Sequence, residues 1–92
     1  MAIRDPETVE VLQQLGANIV RLRERRGWSR ADLATLLGIP KRRLARWEAG
    51  LHQLPLEHFV ALGELLEVSL DTLLELSPDD ELPPLPWSQR AH

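Results

Sequence analysis

Residues 29–50 read SRADLATLLGIPKRRLARWEAG, and they carry the most specific structural signal in the sequence. Its apolar positions and end signals predict two short helices, one from Arg30 to Leu37 and one from Lys41 to Ala49. Only Gly38-Ile39-Pro40 separates them. Two helices of this length on so short a turn have the dimensions of a helix-turn-helix unit.

The ends of both helices carry residues with a physical role. Ser29 followed by Asp32 resembles a capping box, although Asp is shorter than the usual Glu or Gln. Gly38 and Gly50 suit the left-handed conformation in which helices commonly end, and Pro40 suits a helix start. The two short helices are therefore bounded on both sides.

A longer helix is predicted before this unit, from Pro6 to Arg26. Asp5-Pro6-Glu7 is a favourable start, because it supplies a cap, a proline and an acid in the first turn. Gly27 ends the helix. One apolar stripe at spacings of three and four is formed by Val9, Leu12, Leu15, Ile19 and Leu22.

Two further helices are predicted after it. Pro55 begins the fourth helix, and Ser69 caps the fifth, whose apolar positions are Leu70, Leu73 and Leu74. The positions expected to point inward from the fourth helix are Leu56, Phe59, Val60, Leu62, Leu65 and Leu66.

The composition agrees with an all-α fold. The 92 residues include 19 Leu against 8 Val plus Ile, with no Tyr and one Phe, a balance that favours helices over a sheet. A chain of this length makes one domain, too small for a barrel or a doubly wound nucleotide fold. The absence of cysteine excludes a disulfide framework. We expect one domain over residues 1–76.

Residues 77–92 differ in character from the rest. Four prolines and three acids lie between positions 77 and 87, so we expect an extended tail rather than a sixth helix. The tail is either a simple spacer or a docking segment that uses Leu82, Leu85 and Trp87 on this or a partner chain.

The charge is strongly segregated along the chain. The formal net charge of −3 argues against a nucleic-acid partner when taken as an average. Residues 21–46, however, carry nine cations and two acids, which makes +7, whereas residues 1–20 sum to −2 and residues 47–92 to −8. The positive block coincides with the helix-turn-helix unit, which favours binding to DNA.

Several stretches in register resemble the phage repressor and Cro proteins, also called the XRE family. They are LGANIVRLRERRGWS (15–29), ADLA (31–34), LGI (37–39), WEAG (47–50) and VSLDTLL (68–74). Together they span about two-thirds of the chain. The resemblance implies a compact five-helix lambda-repressor-like domain that binds double-stranded operator DNA, usually as a two-fold homodimer, and regulates transcription.

The resemblance places the base-reading positions on Lys41, Arg42 and Arg46 in the third helix. Positions 42 and 46 are also one turn apart on one face of that helix, whereas Leu44 and Trp47 point the other way. Arginine at such positions suits bidentate contact with the O6 and N7 atoms of guanine.

Phosphate contacts are expected from Arg30, Arg43 and Arg23. Arg30 lies where the family commonly has a phosphate-binding glutamine, and Arg43 lies near the rim, where it suits a base or a phosphate. In some members the positions of Arg23 and Glu48 form a salt bridge, so Arg23 is expected to be partly structural. Three departures from the family pattern affect contact details: Pro40 for Ser or Thr, Ala45 for a polar residue, and Glu67 for glycine.

The aromatic residues and histidines have competing interpretations. Trp28 and Trp47 could stack on bases, but their positions favour packing in the core. His52, His58 and His92 match no metal-binding spacing, so we expect no metal and no cofactor.

The functional expectation is a sequence-specific transcription regulator, acting as a repressor because no ligand or activation domain is recognisable. The alternative is the antitoxin of a toxin–antitoxin pair, which would also bind a partner protein through the acidic tail or the first helix. No catalytic constellation supports an enzyme, and no signal peptide or membrane span is recognisable, so we expect a cytoplasmic protein, nucleoid-associated when bound to DNA. Two dimer surfaces are possible: the fifth helix with Leu70, Leu74 and Leu76, or the start of the first helix with Val9 and Val11.

Overall fold

Five helices make up the fold. The computed structural model describes residues 6–77 and 80–82, and its regular structure within them is entirely helical. The helices are α1 (Pro6–Arg25), α2 (Arg30–Leu37), α3 (Lys41–Glu48), α4 (Leu56–Leu66) and α5 (Leu70–Glu75). The predicted all-α, five-helix fold is confirmed, with helix ends that differ from the prediction by at most one residue.

The predicted helix ends use the expected chemistry. The Ser29 hydroxyl accepts a hydrogen bond from the Asp32 backbone at 3.0 Å, and the Asp32 carboxylate accepts one from the Ser29 backbone at 2.9 Å. The capping box is thus complete, and the hydrogen bond from the Ser29 backbone N–H to the carboxylate lowers the pKa of Asp32. Gly38 ends α2 in the left-handed region, with φ of 71°.

One apolar core joins all five helices. α1 contacts both α3 and α5. Trp47 is buried here, as its spacing predicted, and Trp28 packs against the edge of the core. The most deeply buried side chains are Asn18, Ile19, Leu22, Leu33, Leu44, Leu62, Leu66 and Leu73.

The predicted inward face of α4 is wrong at two positions. Leu56 and Val60 are exposed, whereas Leu62 and Leu66 are fully buried. Because Leu56 and Val60 lie one turn apart, they share a side of the helix that is rotated away from the core. Leu36 in α2 is also exposed. A buried face predicted from the positions of leucines alone is therefore wider than the face that is actually buried.

Polar side chains of α1 form hydrogen bonds with the backbone of α5 and of the residues that follow it. The buried Asn18 amide donates to the Leu73 carbonyl at 2.8 Å, and the Gln14 amide donates to the Leu76 carbonyl at 3.1 Å. Arg21 donates to the carbonyls of Ser77 and Asp80, at 2.9 Å and 2.6 Å. These side chains satisfy carbonyls at and beyond the C-terminal end of α5.

Leu82, the last residue described, is half-buried against the core. The chain therefore remains in contact with the domain beyond α5, and the boundary at residue 76 stays a prediction. The predictions for Leu85, Trp87 and His92 lie outside the described residues. None of the described helices is long and apolar enough to cross a membrane.

Glu67, at the position where the family resemblance implies glycine, lies in the left-handed region with φ of 56°. It ends α4, and its carboxylate pairs with Arg26 at 2.6 Å. We expect Glu67→Gly to raise the free energy of unfolding by about 0.5–1 kcal/mol, because relief of left-handed strain exceeds the loss of one ion pair whose glutamate side chain is 43% exposed. Urea denaturation at high salt, where the pair is screened, measures the gain, and a loss of stability there would contradict the assignment.

Candidate nucleic-acid interface

α3 presents one face to the core and the opposite face to solvent. Leu44 and Trp47 are buried, and Lys41, Arg42, Arg43 and Arg46 are exposed. Arg42 and Arg46 lie opposite the buried pair, one helical turn apart, and Lys41 and Arg43 flank them. Within the described residues, none of the four cationic side chains forms a salt bridge or a hydrogen bond, so all four are available to a ligand.

The C-terminal end of α3 is fixed against α1 by close backbone packing at Gly16. A Cβ atom at this position would lie 2.5 Å from the Trp47 carbonyl oxygen, and closer still to that of Glu48. Such distances are shorter than any real Cβ contact. Only glycine therefore permits this approach, which sets how far α3 stands from α1.

Glu48 connects three helices through its carboxylate. Its side chain is 2% exposed. Arg23 of α1 donates to it from Nε at 2.8 Å and from Nη2 at 3.3 Å, and Arg30 of α2 donates from Nε at 2.8 Å. The structural role that the sequence suggested for Glu48 therefore includes Arg30 as well as Arg23.

The two arginines that bind Glu48 differ in how much of each guanidinium remains available to a ligand. The Arg23 side chain is only 9% exposed, and its Nη1 donates to the Trp28 carbonyl at 3.0 Å. The Arg30 side chain is 40% exposed and, within the described residues, uses Nε alone, so its two terminal nitrogens can reach a phosphate. Of the six predicted contact residues, Arg23 is the least supported, because its guanidinium is buried and already bonded.

A concavity of about 360 Å³ lies beside the outer face of α3. Its lining includes Arg42, Arg43 and Arg46 of α3 together with His52 and Gln53 of the α3–α4 loop. From the sequence, His52 is considered only as a metal ligand, and Gln53 is not singled out. Their signal was weak, because a polar residue in a loop is ordinary, and only the fold brings them beside the arginines.

Other residues that the sequence singled out contribute to side-chain packing or to a helix end. The ring of His58 packs on that of Trp47, with centroids 5.2 Å apart, and the Arg26 guanidinium lies 4.9 Å from the centre of the Trp28 ring. Pro40 precedes α3 in an extended conformation and makes no side-chain cap. α3 therefore begins without the hydroxyl that Ser or Thr would supply.

The fold and its outward arginines define a helix-turn-helix DNA-binding protein. The sequence model of the helix-turn-helix family HTH_3 matches residues 19–73, more than half of the chain. The chain belongs to this family, and it is a DNA-binding transcription regulator of the XRE type. None of the curated protein sequences compared with the chain matches it significantly.

Solved structures of regulators have the same fold. The restriction-modification controller protein C.AhdI from Aeromonas hydrophila is 26% identical with a TM-score of 0.63, over 67% of this chain and 94% of that one. The SinR protein/SinI protein complex is also 26% identical, with a TM-score of 0.63, over 83% of this chain and 73% of that one. A hypothetical transcription factor, NHTF from Neisseria, is 23% identical with a TM-score of 0.68, over 85% and 88%, which shows the fold alone.

Proposed function

We propose that the protein is a sequence-specific repressor that binds a palindromic operator in double-stranded DNA as a homodimer, in the cytoplasm. One observation carries the proposal: Arg42 and Arg46 stand together on the face of α3 opposite its buried side, with no other partner in the described chain. In a helix-turn-helix, this face of the second helix enters the major groove. Occupation of the operator would block transcription by steric exclusion.

The cations divide into two roles in this proposal. Lys41, Arg42 and Arg46 read base edges, and arginine there pairs with guanine through two parallel hydrogen bonds. Arg30 and Arg43 hold phosphates and so set the position of α3 in the groove. Glu48 supports the phosphate contact of Arg30. Its carboxylate holds the Arg30 Nε and leaves the two terminal nitrogens available for a phosphate.

Arg42→Ala and Arg46→Ala are each expected to reduce discrimination between operator and random DNA by about 1–3 kcal/mol. Arg30→Ala removes the same charge from a different position, so it should weaken binding to both DNAs about equally. Competition binding against random duplex measures the difference, with thermal melting to show that each variant is folded. An equal loss of discrimination for all three variants would contradict the assigned roles.

Binding should weaken steeply as salt rises, because phosphate contacts release counterions. If a dimer neutralises about 6–8 phosphates, the logarithm of the binding constant should fall against the logarithm of salt concentration with a slope of about −5 to −7. Fluorescence anisotropy over a salt series measures this slope. A flat dependence would exclude DNA binding through the +7 block.

The operator itself is found by selection from a random pool of double-stranded DNA. The expected product contains two inverted half-sites about one helical turn apart, since one domain reads only one half-site. A selected site without inverted symmetry would contradict the palindromic arrangement. Failure to enrich any sequence would contradict specific recognition.

A protein partner is the second candidate, with an antitoxin as its particular form. It is favoured by the match to a fold solved as the SinR protein/SinI protein complex and by the three consecutive acids at positions 79–81. Co-purification of an untagged partner, lost on deletion of residues 77–92, would support it. If that deletion changes no partner and leaves DNA binding unaltered, the tail is a spacer.

A further inference from the structure

An apolar groove of about 330 Å³ lies at the corner where α4 ends and α5 begins. Val60, Val68 and Leu70 supply apolar surface to its lining, and Val60 is 38% exposed. Glu64 and Glu67 also line it. Glu64 is exposed and makes no salt bridge or hydrogen bond within the described residues. The groove therefore combines apolar surface with a carboxylate that no described cation neutralises.

The groove lies beside the C-terminal end of α1. Next to that end, Arg26 pairs with Glu67 of the groove at 2.6 Å. Asn18 holds a carbonyl within α5, and Gln14, one turn earlier in α1, holds the carbonyl of Leu76 at the end of α5. α5 therefore runs along α1 toward its start and leads the chain away from the groove.

The chain turns back after α5. The Asp80 N–H donates to the Ser77 carbonyl at 2.9 Å, and the Asp80 carboxylate accepts from the Ser77 N–H at 2.8 Å, which closes a tight turn. Arg21 holds the carbonyls of both residues. Because Arg21 lies nearer than Gln14 to the C-terminal end of α1, the turn brings the chain back in the direction of the groove. Leu82, two residues later, packs on the core.

Ten residues follow Leu82, and they are long enough to reach the groove. Arg21 marks the position of the turn, and Arg26 marks that of the groove. These two arginines are five residues apart, which is about 7.5 Å along the direction of α1. Ten extended residues span about 30 Å, so the groove lies well within their reach.

The sequence of these ten residues, PPLPWSQRAH (83–92), fits the groove. Leu85 and Trp87 are large apolar side chains, and Arg90 carries the only formal charge. The sign of the charge thus changes from the three acids at positions 79–81 to a cation that suits an acidic groove. Prolines fix φ at three of the ten positions, which lowers the entropy lost when the segment becomes ordered.

We propose that residues 83–92 fold back and occupy this groove in the same chain. Leu85 and Trp87 bury the apolar lining, and Arg90 pairs with Glu64. The contact removes from solvent an apolar patch that would otherwise remain exposed. A partner protein that binds this segment must then displace it from its own domain, so the docked state opposes partner binding.

The docked segment lies away from the helix that faces DNA. Gln14, Asn18 and Arg21 are spaced by four and three residues and so share one face of α1, whereas Gly16, which packs on α3, lies on another face. The groove and the basic concavity beside α3 have no lining residue in common. Docking should therefore leave DNA binding unchanged, and the inference does not depend on the proposed function.

The test is paramagnetic NMR of the full chain. Because the sequence contains no cysteine, a nitroxide on Ser88→Cys labels a single position. We expect the nitroxide to broaden the amide signals of Gly63, Glu64 and Ser69 at the groove, but not that of Arg42 in α3. Reduction of the nitroxide gives the reference spectrum.

Leu85→Ser and Val60→Gln remove apolar contact from the two sides of the docked state. Each should lower the docking equilibrium constant at least about fivefold, measured as reduced broadening at the groove. Leu36→Gln is the matched control, because Leu36 is 51% exposed in α2 and lies outside the groove, and it should leave the broadening unchanged. Thermal melting shows that all three variants are folded.

Four outcomes would overturn the inference. The first is a nitroxide that broadens no signal at the groove, and the second is broadening that neither Leu85→Ser nor Val60→Gln reduces. The third is broadening of Arg42, which would place the segment on the surface that faces DNA. The fourth appears when the nitroxide and the isotope label are on different molecules: broadening in that mixture would mean that a second copy fills the groove.

DNA binding by the same variants separates this inference from the proposed function. If docking is observed and no DNA sequence is selected, the docked segment stands and the repressor proposal fails. If DNA is selected and the nitroxide broadens no groove signal, the repressor proposal stands and this inference fails.

Discussion

Replacement of Glu48 by alanine is expected to lower the free energy of unfolding by about 3–5 kcal/mol. The change removes the acceptor of three hydrogen bonds, two from Arg23 and one from Arg30. Arg23 would then keep a buried positive charge with no carboxylate beside it, and an uncompensated buried charge is far costlier than the loss of a surface pair. Since a domain of this size has a stability of about 5–15 kcal/mol, the loss is a large fraction of the total.

Urea denaturation of the purified chain measures this loss. Arg30→Ala is the internal control, because it removes one partner from the same carboxylate at a position that is 40% exposed, and it should cost less than about 1 kcal/mol. Glu48→Gln keeps the shape and one oxygen acceptor, so its cost should fall between the two. If Glu48→Ala costs no more than Arg30→Ala, the carboxylate does not hold the three helices together.

Gly16→Ala is expected to destabilise the protein by about 2–4 kcal/mol, although alanine normally favours a helix over glycine by about 1 kcal/mol. The added methyl would overlap the backbone carbonyls of Trp47 and Glu48, and backbone atoms cannot move aside as a flexible side chain can. α3 must then shift away from α1. The variant should lose DNA binding as well as stability, because α3 carries the arginines that we propose contact DNA.

Thermal and urea denaturation test whether Gly16→Ala lowers the stability of the protein. Gly27→Ala is the control substitution. Gly27 has φ of 75° with no atom within 4 Å of an added Cβ, so its substitution should cost only the strain of a left-handed residue, about 1 kcal/mol. A Gly16→Ala variant as stable as the wild type would show that α1 and α3 are less closely packed than described.

Much of the fold could be predicted because its signals are local. The apolar stripe of α1, the Ser29 and Asp32 capping box and Gly38 each act within a few residues, and the sequence shows them directly. The same holds for the outer face of α3, since the helical period alone places Arg42 and Arg46 opposite Leu44 and Trp47.

The features that could not be predicted depend on contacts between distant segments. Nothing local distinguishes Leu56, which is exposed, from Leu62, which is buried, because the orientation of α4 is set by the helices around it. The bond from Arg30 to Glu48 likewise requires the actual placement of α2 against α3. In the sequence, Gly16 is only a residue that weakens a helix. The position of α3 in the structure shows that no larger residue fits there.

The freedom of the outer face of α3 has an evolutionary consequence. Lys41, Arg42, Arg43 and Arg46 make no salt bridge or hydrogen bond within the described chain, so they contribute little to holding the fold. The hydrophobic core and the helix caps would remain intact if the residues at these four positions were all replaced. If these residues read DNA as we propose, a few substitutions can redirect the same scaffold to a new DNA sequence, without first acquiring compensating mutations elsewhere in the chain.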